Sequence, residues 1–536
     1  MLGAGAYAGC SYCCIQGQYS KELKKMVYMD HRSFLPSIDC LRINHKGFPA
    51  KKVADNPPQA KTMEFVEKQI TDLTKALSVQ NRKEIIQSGG CTGDYSLRRL
   101  PNHDRYLNTP VEPMHVLKNI AERIVKLISG VTDTLKVRLD EQKRKRFHSS
   151  WIQKGGKKGT SIIIPPAPFS ISKDNLVVAN KRSLNVKSPS GVDWKPSVLF
   201  GKGASHLKSN QWKHVIASGI LKFCVRGLLG KSQEKTLMEL CDIVSVLCSE
   251  EVNVQTMDAV EYRVHRVLSL MERDFPATIH VITLHLLHHL PMYMRRFGPL
   301  YSFWMYPMER FNNWIKNRVL NRRFPEATVM ESYRLYEIGF HLQISGQLPL
   351  NATVDVLSDP VTENEDGSQA ACVQTKGCVS NLEAAQLDEL KVLYRDTYDD
   401  QCIEDLNNSI VKFKSYRFRD SHNRLTTFGS QHSERTNSVH ESSYVHLKTT
   451  HSTNTFGRIQ FIFNHTLNNN THTLAYVHWF EDAVVDSISD LFHVNIKTRN
   501  NSVQAIVYLT QLSKPLIHAT DEVDDDKLWI LNHVQK

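Results

Sequence analysis

Residues 280–316 constrain the fold of this chain more than any other stretch. Their sequence is HVITLHLLHHLPMYMRRFGPLYSFWMYPMERFNNWIK. His285 and His289 stand at positions i and i+4, so a helix directs both imidazoles from one face. Two helical ligands of a tetrahedral metal ion need this spacing. We therefore predict a metal-binding pair on a helix that ends at Pro291, which lacks a backbone donor. The alternative is a group of hydrogen-bonded core histidines that includes His288.

A second helical segment, residues 301–316, carries a single carboxylate, Glu309, among tryptophan, tyrosine and phenylalanine residues. A carboxylate in apolar surroundings usually has a partner or a function, because burying an uncompensated charge is costly. Glu309 is thus a candidate catalytic residue. The alternative is an ion pair with Arg295, Arg296 or Arg310.

A Cys-x-x-Cys pair near the start of the chain, Cys10 and Cys13, completes a set of four zinc donors with the two histidines. A Cys-x-x-Cys alone is a weak signal, and ordinary buried thiols are the alternative. The chain has 11 cysteines, and an odd number without a secretion signal argues against a disulfide framework. A competing zinc site close in sequence would consist of Cys10, Cys13 and His31 with Asp39, Cys40 or His45.

The composition favours an anionic partner. The formal net charge is +12 over 536 residues, and the pI is about 9.0. This balance points to nucleic acid, with solvated lysine and arginine side chains as the alternative. No apolar run reaches the roughly 18 residues that a membrane span needs, and no signal peptide follows Met1, so we expect an intracellular protein without a membrane partner.

Two basic runs are candidate DNA-binding segments. Lys143, Arg144, Lys145 and Arg146 form a short run of the kind that nuclear importers recognise, which predicts a nuclear location, and the same run could bind phosphates. The second run consists of Arg318, Arg322 and Arg323 beside aromatic rings. A solvated helix face is the alternative for this run.

Apolar periodicity and turn residues divide the chain into five predicted parts, most clearly at the basic, Pro/Gly/Ser-rich run before residue 205 and at the polar run after residue 348. The parts are a partial core with the Cys-x-x-Cys at 1–130, a basic linker at 131–204, a helical domain with the His and Glu residues at 205–348, a polar and partly disordered linker at 349–440, and a small β-barrel or sandwich at 441–536.

Three groups of residues resemble, in the same order, motifs of transposases of the En/Spm (CACTA) group. The first is Gly9-Cys10-Ser11-Tyr12-Cys13 with Tyr28, His31-Arg32, Phe34-Leu35-Pro36 and Arg42. The second is Pro110-Val111-Glu112-Pro113-Met114-His115 with Lys118-Asn119. The third, similar to a domain of unknown function in these transposases, is His285, His289-Leu290, Gly298-Pro299-Leu300-Tyr301, Trp304-Met305-Tyr306-Pro307, Glu309-Arg310-Phe311 and Ile315-Lys316. The resemblance covers roughly residues 9–340.

The resemblance implies an RNase H-like core in which three acidic residues bind two Mg²⁺ or Mn²⁺ ions and activate a nucleophile for attack on phosphate. It places the third acid at Glu309. Glu112 is a weaker candidate, because the family motif has Asp at that position. The first two aspartates are expected before the Cys-x-x-Cys and hence before Met1, so we expect an N-terminally truncated transposase. The motif order is also similar to that of the recombinases of adaptive immunity, in which a Cys-x-x-Cys and two histidines share one zinc ion.

These observations predict an α+β multidomain protein with a mainly α-helical centre, the remnant of an RNase H-like core with its helical insertion, and a small C-terminal all-β domain. We expect a DNA-binding, transposon-derived protein that holds a structural Zn²⁺ and does not cut DNA alone, with a second copy or another transposase as a further partner. One alternative is an active transposase or nuclease whose aspartates are missing from this sequence. The other is a domesticated nuclear scaffold that binds a protein through its β domain.

Overall fold

The structure, a computed structural model, describes residues 5–132, 167–347, 372–373 and 377–532, apart from short gaps. The gaps fall at 22, 50–52, 95–99, 101–102, 202–206, 320, 322, 396–397, 399–402, 404–405, 420–424, 432–439, 449–453 and 482. Helices and antiparallel sheets lie in largely separate parts of the chain, which confirms the predicted α+β class. None of the described helices combines the length and the apolar character that crossing a membrane requires.

The helices are concentrated before residue 347. In chain order they are α1 (Cys40–Ile43), α2 (Met63–Lys75), α3 (Val79–Gly89), α4 (Arg105–Asn108), α5 (Pro113–Ile128), α6 (Lys173–Asn185), α7 (Ser209–Ala217), α8 (Ile220–Val225), α9 (Lys231–Leu247), α10 (Met257–Asp274), α11 (Ile282–His285), α12 (Leu290–Phe297), α13 (Tyr306–Lys316), α14 (Pro325–Ile344) and, later in the chain, α15 (Ala384–Arg395).

Helix α5 has the amphipathic pattern that the sequence predicts. Its inner face is buried throughout, with Met114, Leu117, Ile120, Ile124, Leu127 and Ile128. On its outer face the Lys126 ammonium donates to the Glu122 carboxylate at 2.6 Å. The inner face joins the same hydrophobic core as α7 to α10, so α5 anchors the N-terminal part to the helical centre.

The helical stripe that begins at Trp212 is broken at Gly219, which separates α7 from α8. Gly219 has φ of 72°, and a Cβ atom there would lie 2.1 Å from the carbonyl oxygen of Leu531. A glycine is therefore required both by the left-handed backbone and by the close approach of the residue that follows the last strand. The next predicted stripe is intact, because Leu237, Leu240, Ile243, Val244 and Leu247 are all buried along α9.

Among the described residues, the strands form four antiparallel sheets. They are β1 (Gln18–Ser20), β2 (Lys25–Val27), β3 (Val186–Lys187), β4 (Cys372–Val373), β5 (Cys378–Asn381), β6 (Ser409–Phe413), β7 (Ser415–Arg419), β8 (Leu425–Gly429), β9 (Tyr444–His446), β10 (Phe456–Leu467), β11 (Asn470–Trp479), β12 (Val484–Val485), β13 (Phe492–Asn495), β14 (Ile506–Tyr508), β15 (His518–Thr520) and β16 (Lys527–Ile530). The sheet orders are β1-β2, β14-β11-β10-β6-β5 with β9 beside β10, β12-β13-β16-β15-β3, and β4-β7-β8.

The long hairpin of β10 and β11 is the centre of the C-terminal part. Its register runs from the pair Gly457 and Trp479 to the pair Leu467 and Asn470. Asn468 and Asn469 between the strands have φ of 51° and 65°, as a two-residue type I′ turn requires. Apolar residues alternate along both strands, so the strands predicted from the sequence are present.

The helical and β parts share one core. The ring of Trp529 on β16 packs against Phe223 of α8 at 5.9 Å, and the Arg226 guanidinium lies 3.8 Å above the same ring. Both ranges predicted as linkers also contain regular structure, since 131–204 supplies α6 and β3 and 349–440 supplies α15 and β4 to β8. Local polarity indicated linkers there because these short elements obtain their apolar partners from distant parts of the chain.

Candidate metal centre

The N-terminal half of the site is a tight turn around Cys10 and Cys13. The backbone amide of Tyr12 donates to Cys10 Sγ at 3.4 Å, which orients the thiol. Backbone hydrogen bonds from Cys14 to Gln59 at 2.8 Å and from Lys61 to Tyr12 at 2.9 Å fix the turn to the segment before α2. Both thiols are buried.

The histidine half lies on a short helix whose geometry changes. His285 ends α11, and a 3-10 turn, Leu286–His289, connects it to α12. The sequence prediction of a helix end at Pro291 is wrong, because α12 begins at Leu290 and Pro291 occupies its first turn. A proline is tolerated there, since the first amides of a helix have no intrahelical partner.

The structure brings together the four side chains of the predicted long-range ligand set. Cys10 Sγ lies 3.5 Å from His289 Nε2, and Cys13 Sγ lies 3.2 Å from His285 Nε2. The two Nε2 atoms are 3.2 Å apart. One ligand atom from each residue lies within 4.8 Å of the others, and all four residues are buried. Zinc bonded tetrahedrally at about 2.0 to 2.3 Å separates its donors by roughly 3.3 to 3.8 Å, so this cluster can hold a metal ion of that size.

The two thiols differ in their acidity. Burial acts to raise the pKa of Cys10, but the hydrogen bond from Cys13 and the neighbouring His289 and His285 outweigh it, so that pKa lies well below the usual range. Burial and the negative charge of Cys10 raise the pKa of Cys13 well above it. Without a metal the pair therefore favours one thiolate and one thiol, and a divalent cation would displace the second proton.

Lys61 places a buried positive group beside the turn. Its ammonium donates to the carbonyl of Cys10 at 2.5 Å, and burial lowers its pKa although the thiols act in the opposite direction. A buried lysine in contact with a cysteine turn partly neutralises the two thiolates that a bound metal requires.

A second group, made of three histidines, adjoins the Cys/His cluster. His31, His285 and His288 also offer ligand atoms within 4.8 Å of one another. His31 Nδ1 and His288 Nε2 are 2.9 Å apart and bond to each other, which commits these atoms to a hydrogen bond. The Nδ1 of His285 is buried without a hydrogen-bond partner among the described atoms. The group therefore lies against the Cys/His cluster as a hydrogen-bonded layer and shares His285 with it. His288 fits the alternative of a hydrogen-bonded core histidine.

The hydrogen bonds of this layer form a chain in which every donor points the same way. The carbonyl of Met271 accepts from His280 Nε2 at 3.2 Å, so His280 Nδ1 must accept from His31 Nε2, also at 3.2 Å. His31 Nδ1 then accepts from His288 Nε2, and His288 Nδ1 accepts from His265 Nδ1 at 2.8 Å. Burial lowers the pKa of His31 and His288 well below the usual range and that of His265 to about 4. Neutral imidazoles satisfy every link.

The competing local zinc set is not assembled. His31 bonds to His280, between α10 and α11, and to His288, in the turn before α12. Its backbone amide donates to the Glu272 carboxylate at 2.9 Å. Cys40 is exposed at the start of α1. Asp39 caps that helix and accepts from the Tyr262 hydroxyl at 2.8 Å. The ring nitrogen of His45 faces the guanidinium of Arg32 at 3.0 Å.

The two candidate catalytic carboxylates both contact His115, and neither is buried. Glu309 is half-exposed, contrary to the expectation of an apolar setting, and it lies 3.9 Å from His115 Nε2. His115 Nδ1 lies 2.6 Å from Glu112. Arg295, an expected partner of Glu309, instead binds Asp258 at 2.6 Å.

Glu112 mainly has a structural role. Its carboxylate accepts from the backbone amides of Met114 and His115 at 2.9 and 2.7 Å, which caps α5. It also accepts from the Met305 amide at 3.0 Å, at the residue before α13. The helices that carry the two acids are therefore joined at their N-termini by Glu112.

The predicted DNA-binding residues are only partly described. Arg318 lies over the ring of Trp314 at 4.0 Å, and Arg323 lies 5.5 Å from the ring of Phe324. Residues 143–146 and Arg322 lie outside the described residues. The two described arginines lie within the loop between α13 and α14.

The model of a family described as a domain of unknown function (DUF4218) matches residues 247–341. That range contains His285, His289 and Glu309 and ends within α14, whereas the cysteine half of the metal centre lies outside it. No curated protein matches the chain. No solved structure matches it.

Sequence reasoning missed Lys61 and the histidines at 265 and 280. Lys61 contacts Cys10 across 51 residues. His280 contacts His31 across 249 residues. No local spacing signals such contacts. The only hint was the presence of many histidines near residue 285.

Proposed function

We propose that this chain is a transposase-derived protein of the En/Spm (CACTA) group that binds DNA and is held together by one structural zinc ion. The observation that carries the proposal is the convergence of Cys10, Cys13, His285 and His289 in one buried cluster. Two thiols and two imidazoles are a donor set typical of structural zinc. When bound, the ion would link the N-terminal turn to the helical centre.

The transposase origin has separate support. The motifs around Cys10, Glu112 and Glu309 follow the order of that group, and the matching family occurs in transposase-like plant proteins. An RNase H-like ancestry and a nuclear location are parts of the same proposal. Glu309 would be the third catalytic acid. Glu112 lies near Glu309, because His115 contacts both carboxylates. We therefore propose binding of DNA without cleavage by this chain alone.

The zinc proposal is tested by metal content. The full chain, purified without added chelator, should contain one zinc ion per molecule by mass spectrometry. Cys13→Ser and His285→Gln should lose it, while Cys40→Ser and His31→Gln should retain it. The exposed Cys40→Ser should also leave the circular dichroism unchanged. Retention of zinc in His285→Gln together with its loss in Cys40→Ser would overturn the long-range site and support the local one.

The DNA proposal is tested by salt dependence. Log affinity for duplex DNA should fall linearly with log salt, by about 0.9 per phosphate contact. Replacing Arg318, Arg322 and Arg323 with Ala should flatten the slope by about three. A chain that does not bind DNA at low salt would favour the scaffold alternative.

The proposed lack of cleavage is tested with Mg²⁺ and Mn²⁺. Strand cleavage or joining that depends on these ions and disappears in Glu309→Gln would favour the active transposase instead.

A further inference from the structure

The hairpin formed by α13 and α14 lacks the core that the rest of the helical centre has. Both helices are fully described, and neither has a buried residue. In proteins most of the stability of a helix comes from tertiary packing, so we expect this 20-residue helix to bury a face. Trp314 packs edge-on against Tyr333 and Tyr336 at 6.4 and 5.9 Å, which joins the two helices to each other. Within the part of the chain that the structure describes, the remaining faces of both helices are open.

These open faces are apolar in a regular pattern. More than half of each of seven large side chains in α14 and at its N-cap is exposed: Phe324, Met330, Leu335, Tyr336, Ile338, Phe340 and Ile344. On α14, Leu335, Ile338 and Leu342 follow the spacing i, i+3, i+7, and on α13 Met308, Phe311 and Ile315 repeat it. This is the spacing of residues that form the seam between packed helices.

We propose that a second copy of this chain covers these faces, so that two α13–α14 hairpins pack into a four-helix bundle. This inference is independent of the zinc and DNA proposals. Without Tyr336, which already contacts Trp314, the hairpin exposes eight large apolar side chains at on the order of 100 Å² each, at most about 800 Å² in all, which is the area that each partner buries in a specific interface. They are Met308, Phe311, Phe324, Met330, Leu335, Ile338, Phe340 and Ile344. An apolar surface of this size on a single chain marks an interaction site.

The charges of α14 favour a copy of the same helix over DNA. Glu326, Glu331 and Glu337 are exposed on it, and they would repel phosphates. Arg334 stands between the last two. In an antiparallel pair that places Arg334 opposite the partner's Glu337, two-fold symmetry forms the reciprocal ion pair as well, so the helix is complementary to itself.

The test is the oligomeric state of the full chain by sedimentation equilibrium, from sub-micromolar to tens of micromolar protein. The wild type should be a dimer at the upper end of this range. Leu335→Asp combined with Ile338→Asp should weaken dimerisation by at least about a hundredfold, because four carboxylates would enter the seam. Val523→Asp, at a residue that is 89% exposed in the β part, is the matched control and should remain dimeric.

Hydrogen exchange separates loss of the dimer from loss of the fold. Amides of α14 should exchange more slowly as the wild-type concentration rises, while those of α9 should not change. In the double variant α9 should keep its protection and α14 should lose the concentration dependence. A wild-type chain that is monomeric at tens of micromolar, or a double variant that dimerises like the wild type, would overturn the proposal.

Discussion

The histidine segment 282–289 and the α13–α14 hairpin are close in sequence and opposite in environment. His285, His288 and His289 are buried and surrounded by side chains from the N-terminal part. The two helices of the hairpin that begins at Tyr306 have comparable apolar content and no buried residue. The difference shows that an apolar pattern predicts that a face will be covered and does not specify which part of which chain covers it.

Loss of the metal should change the free energy of unfolding more than any other perturbation considered, because the proposed ligands all lie in the buried region and none lies in the hairpin. At free zinc a thousandfold above the dissociation constant, binding adds about 4 kcal/mol to the free energy of unfolding. Cys13→Ser should lose that amount in urea titrations with zinc present. Cys40→Ser, at an exposed thiol, is the control. Equal stability of wild type and Cys13→Ser in zinc would contradict a structural metal.

A pair of identical substitutions measures the contrast directly. Leu290 is fully buried beside the histidines, and Leu335 on α14 is 64% exposed. Leu290→Ala should lower the free energy of unfolding by about 2 to 5 kcal/mol. Leu335→Ala should change it by less than about 0.5 kcal/mol at protein concentrations too low for dimerisation. Similar losses in both variants would mean that the hairpin is packed against the chain's own core.

Acid should weaken the buried region selectively. Burial lowers the pKa of His265 to about 4 and that of His214 to about 3, from an ordinary 6.5. Below about pH 6.5 the unfolded chain binds protons that the folded chain does not. The free energy of unfolding should therefore fall as pH decreases from 6.5, by up to about 1.4 kcal/mol per pH unit for each histidine, and the contribution of His265 should level off near pH 4.

Urea titrations at several pH values check this dependence. His265→Gln should reduce the slope by one histidine's share, whereas the exposed His341→Gln should leave it unchanged. A slope that is the same in wild type and His265→Gln would contradict the assignment.

The smallest expected difference is between the free energies of unfolding of Glu112→Ala and Glu309→Ala. Glu112→Ala removes the cap of α5 and the contact to the Met305 amide, which should lower the free energy of unfolding by about 0.5 to 2 kcal/mol. Glu309→Ala removes a half-exposed side chain and should have an effect below about 0.5 kcal/mol. Thermal melts of the two variants compare them. A larger loss for Glu309→Ala would argue that its carboxylate has a buried partner.

The sequence predicted the parts of the fold that depend on local periodicity, such as α5, α9 and the β10–β11 hairpin. It also predicted that Cys10, Cys13, His285 and His289 converge, because Cys-x-x-Cys and the histidine pair each have a local spacing and the motif order of a related group joins them. The histidine chain could not be predicted, since His31 meets His288 across 257 residues. The exposure of Glu309 was missed for a related reason, as aromatic neighbours in sequence do not guarantee burial.

The long separation between Cys10 and His289 also affects how the protein is made. They meet across 279 residues, and a ribosome adding about 5 to 20 residues per second needs roughly 15 to 55 s to cover that distance. During this interval the two cysteines have left the ribosome while their histidine partners have not been synthesised. Nascent chains therefore present two closely spaced free thiols to oxidants, and the yield of correctly assembled protein should depend on the reducing conditions during translation.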